Sequence, residues 1–301
     1  MTDPNAQKNP QEHAAGSAEA APHPPFEGQD QPYPGIEAKM TPQPDFGEDS
    51  YTGSGKLKGR VAIITGADSG IGRAVALAFA REGADVAISY LSEDRDAHET
   101  ERVVRESGRH ALLIRGDIRE KAHCVHIVEQ TVQEFGQVDI LVNNAAFQTT
   151  VGSFMDLGEE DWRRAMATNL DAMFYLTQAA LKHMKPGGAI INTTSIQATK
   201  PSASLIHYAT TKGGIVTFTR ALSQEVIERG IRVNAVAPGP IWTPLIVSTM
   251  GEDAYKEFGK DTPLGRAGQP AELAAAYVYL ASNDSSYVTG ETIAVTGGTP
   301  M

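Results

Sequence analysis

A doubly wound α/β domain, with a seven-stranded parallel sheet covered by helices on both faces, is the fold class the sequence predicts. Three observations predict it. Short apolar runs recur along the chain, helical amphipathic periods separate them, and the first run passes directly into a glycine-rich turn and a helix. Val61-Ala-Ile-Ile-Thr65 reads as a short buried strand, its β-branched side chains suited to a sheet covered on both sides. A helix over 70–82, a strand over 85–90, a helix over 93–107 and a strand over 111–115 follow. The pattern continues with a helix over 120–135, a strand over 138–142, a long helix over 159–185 and a strand over 189–194. A helix over 208–229, a strand over 231–236, a helix over 270–282 and a strand over 292–296 complete it. Strand, helix and strand repeated in this way require right-handed crossovers and a parallel sheet. Between Pro238 and Pro270 the pattern lapses, and Pro240, Pro244, Gly251, Gly259 and Pro263 predict a long loop bordering the ligand crevice.

Composition divides the 301 residues unevenly. Nine of the 17 prolines lie in the first 50 residues, where nine acidic side chains face two basic ones, so this stretch carries most of the formal net charge of -11. Residues 1–55 are therefore expected to be a Pro-rich acidic extension unable to supply a core, and residues 56–301 a single folded domain. Gln31-Pro-Tyr-Pro-Gly-Ile-Glu-Ala-Lys-Met40 carries Tyr33, Ile36 and Met40, enough apolar anchors for the arm to drape over its own or a neighbouring subunit. The rest of the chain is only mildly acidic, which argues against nucleic-acid binding by general charge attraction. Cys124 is the one cysteine, so no intrachain disulfide or CxxC redox pair is possible, and a reducing, cytoplasmic setting fits best. Met1–Ala15 is polar and no run approaches the roughly 18 apolar residues of a membrane span. No metal is expected: His123 and His126 lack a metal-site pattern, and His98, His110, His207 and Cys124 read as surface or packing residues.

The first strand leads into Thr65-Gly66-Ala67-Asp68-Ser69-Gly70-Ile71-Gly72-Arg73. Glycines permit a tight turn and let backbone N–H groups approach an anion, while the helix N-terminus adds unpaired donors and partial positive charge. The spacing is GxxxGxG, not the GxGxxG of the general dinucleotide fingerprint.

Later segments give the loop its context. Asp117-Ile118 ends the third strand, Asn143-Asn144-Ala145-Ala146 the fourth and Pro238-Gly239 the sixth; Ser195 follows the fifth, and Tyr208-Ala-Thr-Thr-Lys212 opens the next helix. Together, over roughly residues 57–301, these motifs resemble the short-chain dehydrogenase/reductase family, marked by TGxxxGIG, NNAG, a serine about a dozen residues before YxxxK, and a PG turn. Ala146 stands where the family usually has glycine. Gly66-Ala-Asp-Ser-Gly-Ile-Gly72, Ser195-Ile-Gln-Ala198 and Ala237-Pro-Gly-Pro-Ile-Trp-Thr243 most resemble bacterial members with a Pro-rich N-terminal extension, of general-stress and aldehyde-reductase type.

The resemblance implies a Rossmann-type fold and hydride transfer between NAD(P) and a carbonyl/alcohol pair. Tyr208 is the expected proton donor and acceptor, with Lys212 on the same helix face, its ammonium expected to lower the phenol toward neutrality. Ser195 would hold the substrate oxygen, and Asn169 a water in the proton relay. Gly66, Asp68, Ser69, Gly70, Ile71 and Gly72 would meet the pyrophosphate end of the cofactor. Ser89 and Tyr90 would meet the adenosine ribose, Asp117 and Ile118 the adenine, and Asn143, Asn144 and Ala145 the adenosine side. Lys212 would also bind the nicotinamide ribose, with Tyr208, Pro238, Gly239, Ile241 and Thr243 beside the nicotinamide half.

The second strand ends Ile88-Ser89-Tyr90-Leu91, with neither the acidic residue that favours NAD nor an arginine at its tip. Ser89, Tyr90 and Arg95 tilt the balance to NADP, with dual use open. Phe147, Gln148, Gln197, Leu205, Ile241 and Trp242 are candidate substrate walls, suited to a small polar carbonyl compound. A non-catalytic nucleotide sensor or a structural protein on the same fold is the alternative reading. The family's homotetramers imply interfaces over 159–185, 208–229 and 270–296.

Overall fold

The computed structural model describes residues 21–301. Pro4, Pro10 and the polar Met1–Ala15 stretch lie outside the described residues. The apolar runs form seven strands: β1 (Val61–Thr65), β2 (Asp85–Tyr90), β3 (Ala111–Arg115), β4 (Ile140–Asn143), β5 (Ala189–Thr193), β6 (Arg232–Pro238) and β7 (Thr292–Val295). One sheet contains them all in the order β3-β2-β1-β4-β5-β6-β7, and every neighbouring pair is parallel. The chain steps outward from β1 to β3 and then returns past β1 to β4. Loops after β1 and β4 therefore leave in opposite directions and open a crevice at the carboxyl edge.

Helices α1 (Gly70–Arg81), α2 (Asp94–Glu106), α3 (Lys121–Phe135), α4 (Glu159–Met166), α5 (Ala172–Ala180), α6 (Ile206–Val226), α7 (Pro244–Thr249), α8 (Glu252–Lys256) and α9 (Ala271–Ala281) cover it. Successive strand residues point to opposite faces. Ile64 accordingly joins Val75, Phe79 and Leu273 in one core layer, and Ile63 joins Ile127, Leu141 and Leu176 in the other.

Three elements differ from the sequence pattern. The long helix predicted over 159–185 is α4 and α5 joined by a π turn, Ala167–Asp171, and it stops at Ala180. Within that turn Asn169 faces inward and is bound to the Phe147 backbone, an arrangement periodicity cannot register. Helix α6 begins at Ile206 and gives way after Val226 to a 3₁₀ turn, Ile227–Arg229, closed by Gly230 at φ +69°. The stretch between Pro238 and Pro270 holds α7, with Pro244 in its first turn, and α8; it is not a plain loop.

The short helices are held by the arm. Phe26 stacks on Trp242 with ring centroids 4.0 Å apart, and both pack with Met40, Ile246, Val247 and Tyr255. Burial of a side chain the size of Phe26 contributes on the order of 2 kcal/mol. Trp242 Nε1 donates to the Pro42 carbonyl at 2.9 Å, and the Gln29 N–H donates to Tyr255 Oη at 2.6 Å. Farther along, Arg81 donates to the Gly47, Glu48 and Tyr51 carbonyls, and Glu82 accepts from Tyr51 Oη and the Ser54 and Lys56 N–H groups. From residue 21 onward the arm thus drapes over its own chain. Among the described residues no helix is long and apolar enough to cross a membrane, and no three His, Cys, Asp or Glu side chains group as metal ligands.

Candidate active site

The turn after β1 depends on missing side chains. Gly66 and Gly70 sit at φ +60° and +53°, conformations glycine adopts without a Cβ penalty. A Cβ on Gly72 would lie 1.9 Å from the Gly66 carbonyl oxygen, so only glycine lets α1 start so close beneath the turn. The Gly70 N–H is taken by the Glu37 carboxylate. The Ile71 N–H meets no acceptor among the described residues and faces the crevice, available to an anion, whereas Gly72 is buried beneath the turn.

A crevice of about 300 Å³ opens over this turn. Gly66, Asp68, Ser69, Gly70, Ile71, Ser89, Tyr90, Asp117, Ile118, Asn144 and Ala145 line one part of it. Ser195, Tyr208, Lys212, Pro238, Gly239, Ile241 and Thr243 line another. Three residues assigned to the site from sequence lie elsewhere. Gly72 is covered by the turn. Asn143 turns into the sheet, its Nδ2 donating to Asn192 Oδ1 at 2.9 Å and Thr177 Oγ1 at 3.3 Å, because a strand's alternate residues cannot all face the crevice. Asn169 is buried beside the crevice: its Oδ1 accepts from the Phe147 N–H at 2.8 Å and its Nδ2 donates to the Phe147 carbonyl at 2.9 Å and Thr211 Oγ1 at 3.0 Å.

Strand β5 and helix α6 bring Tyr208, Lys212 and Ser195 together. Tyr208 and Lys212 are one turn apart, which puts them on the same face. Lys212 Nζ donates to the Thr193 carbonyl at 2.8 Å and lies 5.2 Å from the centre of the Tyr208 ring. Thr194 Oγ1 ties the two elements together by donating to the Lys212 carbonyl at 2.8 Å. Ser195 caps the 3₁₀ turn Ile196–Ala198, accepting from the Gln197 N–H at 3.1 Å, and lines the crevice together with Tyr208. Behind them a cavity of about 10 Å³, the size of one water, lies between Asn169, Thr193 and Lys212.

A family model described as Enoyl-(Acyl carrier protein) reductase matches residues 66–300. An uncharacterized oxidoreductase, YhdF, of Bacillus subtilis is 55% identical over 265 residues, covering 88% of this chain and 92% of its own. NADPH-dependent aldehyde reductase 1, chloroplastic, of Arabidopsis thaliana is 47% identical over 88% of this chain and 94% of its own. A short chain dehydrogenase from Burkholderia cenocepacia, crystallised with NADP, superimposes with a TM-score of 0.76 at 30% identity, covering 81% of this chain and 98% of the other. The chain belongs to the short-chain dehydrogenase/reductase family.

As in other short-chain dehydrogenases, the crevice fits a nicotinamide dinucleotide. The Ser89 hydroxyl is buried at the crevice wall with no hydrogen-bond partner, a polar atom suited to a ribose or its phosphate. The glycine turn leaves a cradle that a Cβ would fill: one on Gly66 would lie 3.0 Å from Ala145 Cα, and one on Gly70 3.1 Å from Thr243 Cγ2. Arg95 does not line the crevice; Glu93 does, together with Arg119 and Arg164. Neither Phe147 nor Trp242 forms a wall. Phe147 is buried under Arg164 and Trp242 under Phe26, whereas Gln148, Gln197, Leu205, Met250 and Phe258 do face the cavity. Tyr33 and Pro34 of the arm also line it, a role their apolar character hinted at without naming the place.

Burial governs the protonation of Tyr208 and Lys212 in this dehydrogenase. It pushes the Tyr208 phenol up to about 12, with the Ser195 hydrogen bond opposing, and pushes the Lys212 ammonium down to about 7. The expected lowering of Tyr208 by Lys212 is not seen: burial is the larger influence on the phenol, and the Ser195 hydroxyl, not the Lys212 ammonium 5.2 Å from the ring centre, is what opposes it. Lys212 released by unfolding would bind its proton up to its usual 10.5, whereas the folded group gives it up near 7. Between those values the unfolded chain holds more protons, so this group makes stability rise with pH. Urea unfolding of the cofactor-free protein should show a larger gain from pH 7.5 to 9.5 in the wild type than in Lys212→Met; equal gains would remove Lys212 as the source.

Proposed function

We propose that this chain is an NAD(P)-dependent oxidoreductase interconverting a small carbonyl compound and its alcohol, with Asn169, Ser195, Tyr208 and Lys212 as its working residues. The observation that carries the reading is the buried cluster in which Lys212 is tethered to the Thr193 carbonyl beside Tyr208, with Ser195 buried at the same end of the crevice. When bound, the nicotinamide supplies or accepts the hydride. In reduction, Tyr208 donates its proton to the carbonyl oxygen as that oxygen gains charge, and Ser195 holds the oxygen in place. Lys212 stabilises the phenolate left behind, and the water-sized cavity between Lys212 and Asn169 offers a path for the returning proton. Gln148 and Gln197 give the crevice a polar wall, their side chains fixed by Thr249 Oγ1 and the Ser202 N–H. An aldehyde is the favoured substrate class, consistent with the Arabidopsis relative.

Gly66, Asp68, Ser69, Gly70 and Ile71 would hold the pyrophosphate, and Ser89, Tyr90, Asp117 and Ile118 the adenosine end. NADP is favoured by the named relatives and by the absence of a carboxylate on Ser89 or Tyr90. Glu93 lines the same crevice and leaves room for NAD as well. A homotetramer is the proposed assembly, on the strength of exposed Trp162, Phe174, Ile227, Tyr279 and Tyr287 along the helices and final strand approach. A cytoplasmic setting suits a chain whose one cysteine, Cys124, is buried and free.

Tyr208→Phe should lose at least about 100-fold in kcat with an aldehyde substrate, the usual scale of a general acid, while still binding reduced cofactor by fluorescence. Full turnover in that variant would end the mechanism and favour the non-catalytic alternative. The ratio of kcat/KM for NADP over NAD should exceed unity; a tenfold preference for NAD would refute the assignment. Light scattering at micromolar concentration should give four chain masses, and a monomeric mass would dismiss the tetramer.

A further inference from the structure

Six consecutive residues of the arm, Tyr33–Ala38, touch segments that follow four different strands. After β1, the Glu37 carboxylate accepts from the Gly70 N–H and pairs with Arg73. In α2, after β2, Asp96 Oδ2 accepts from the Glu37 N–H at 2.7 Å. At the β4 end, Tyr33 Oη donates to the Ala146 carbonyl at 3.2 Å, its ring meets Phe147 edge-on at 5.2 Å, and Arg164 lies 4.5 Å from its centre. In α7, after β6, Ser248 Oγ donates to the Pro34 carbonyl at 3.2 Å, and Gly35 turns against Pro244 at φ +88°, with room for no Cβ. Glu37 and Arg73 are both buried, so this fastening is internal to the protein and not a surface contact.

We propose that Tyr33–Ala38 is a strap across the cofactor crevice, with Tyr33 and Glu37 as positioning residues that retain the dinucleotide. The proposal rests on the reading of this crevice as the NAD(P) site. One cavity runs from Ser89 and Asp117 to Ser195 and Tyr208, and the strap is fastened on both of its sides while Tyr33 and Pro34 form part of its wall. Glu37 fills the first donor of α1 and pairs with Arg73, which fixes the glycine turn and leaves the next N–H, that of Ile71, for the anion. A ligand held beneath such a strap leaves only when Tyr33 or Glu37 lets go, so the strap acts on dissociation.

The test is stopped-flow displacement of NADPH, followed by its fluorescence, from the full-length protein. Tyr33→Ala should speed dissociation by at least about tenfold, and Glu37→Gln by about threefold, since the amide still accepts from Gly70 but loses the ion pair. Cofactor KM should rise by a larger factor than kcat changes. If Tyr33→Ala does not fold, Tyr33→Phe decides, because it loses only the Ala146 hydrogen bond and should still release NADPH at least about twofold faster. A lower melting temperature with wild-type dissociation rates would make the arm a stabilising wrap only and overturn the proposal. Absence of NADPH and NADH binding by the wild type would instead overturn the cofactor site itself, and the strap with it.

Discussion

All seven strands run the same way, and the placement of every functional group depends on that. A parallel sheet needs a crossover between each pair of neighbours, so each strand delivers its following segment to one common edge. The phosphate turn after β1, Asn144 and Ala145 after β4, Ser195 after β5 and Gly239 after β6 therefore converge although they are spread over more than half the chain. The arm uses the same convergence. Its strap can reach four loops with six residues only because those loops already stand side by side.

The site combines two opposed demands. In the proposed reaction, hydride transfer calls for a dry crevice, yet the proton handling calls for a phenol and an ammonium, and burial disfavours the charged form of each. Lys212 is kept in place by the Thr193 carbonyl, and α6 is tied to β5 through Thr194. Asn169 stabilises the β4 loop from a π turn, so the irregularity between α4 and α5 is part of how the site is supported. At the glycine turn, Arg73 similarly binds Glu37, the Asp68 and Asp96 carbonyls and Thr100, anchoring the arm to that turn from behind.

Much was legible in the residues themselves. Val61–Thr65 and Ala111–Arg115 match their strands to the residue because short apolar runs bounded by polar turns leave little choice of limits. GxxxGxG and YxxxK were readable because glycine geometry and helical spacing are local properties. Asn143 was not, since the question of which neighbour in Asn143-Asn144 faces the crevice depends on the strand's phase in the sheet. Trp242 was misplaced for a related reason: an aromatic next to a predicted crevice looks like a wall until Phe26, more than two hundred residues earlier, is found stacked upon it.

The sequence by itself determined the sheet class, the glycine turn after β1, the placing of Tyr208 and Lys212 on one helix face and the family, all of which rest on periodicity or fixed spacing within a few residues. Tertiary structure alone decided the protonation of that pair, because burial is a property of everything packed around it. It also decided the place of the arm. Proline content and acidity marked residues 1–55 as unable to supply a core; among the described residues of that arm, Phe26, Tyr33, Glu37 and Met40 find partners supplied by distant segments of the body. The physical reason is that a contact between segments far apart in the chain exists only after the fold has brought them together.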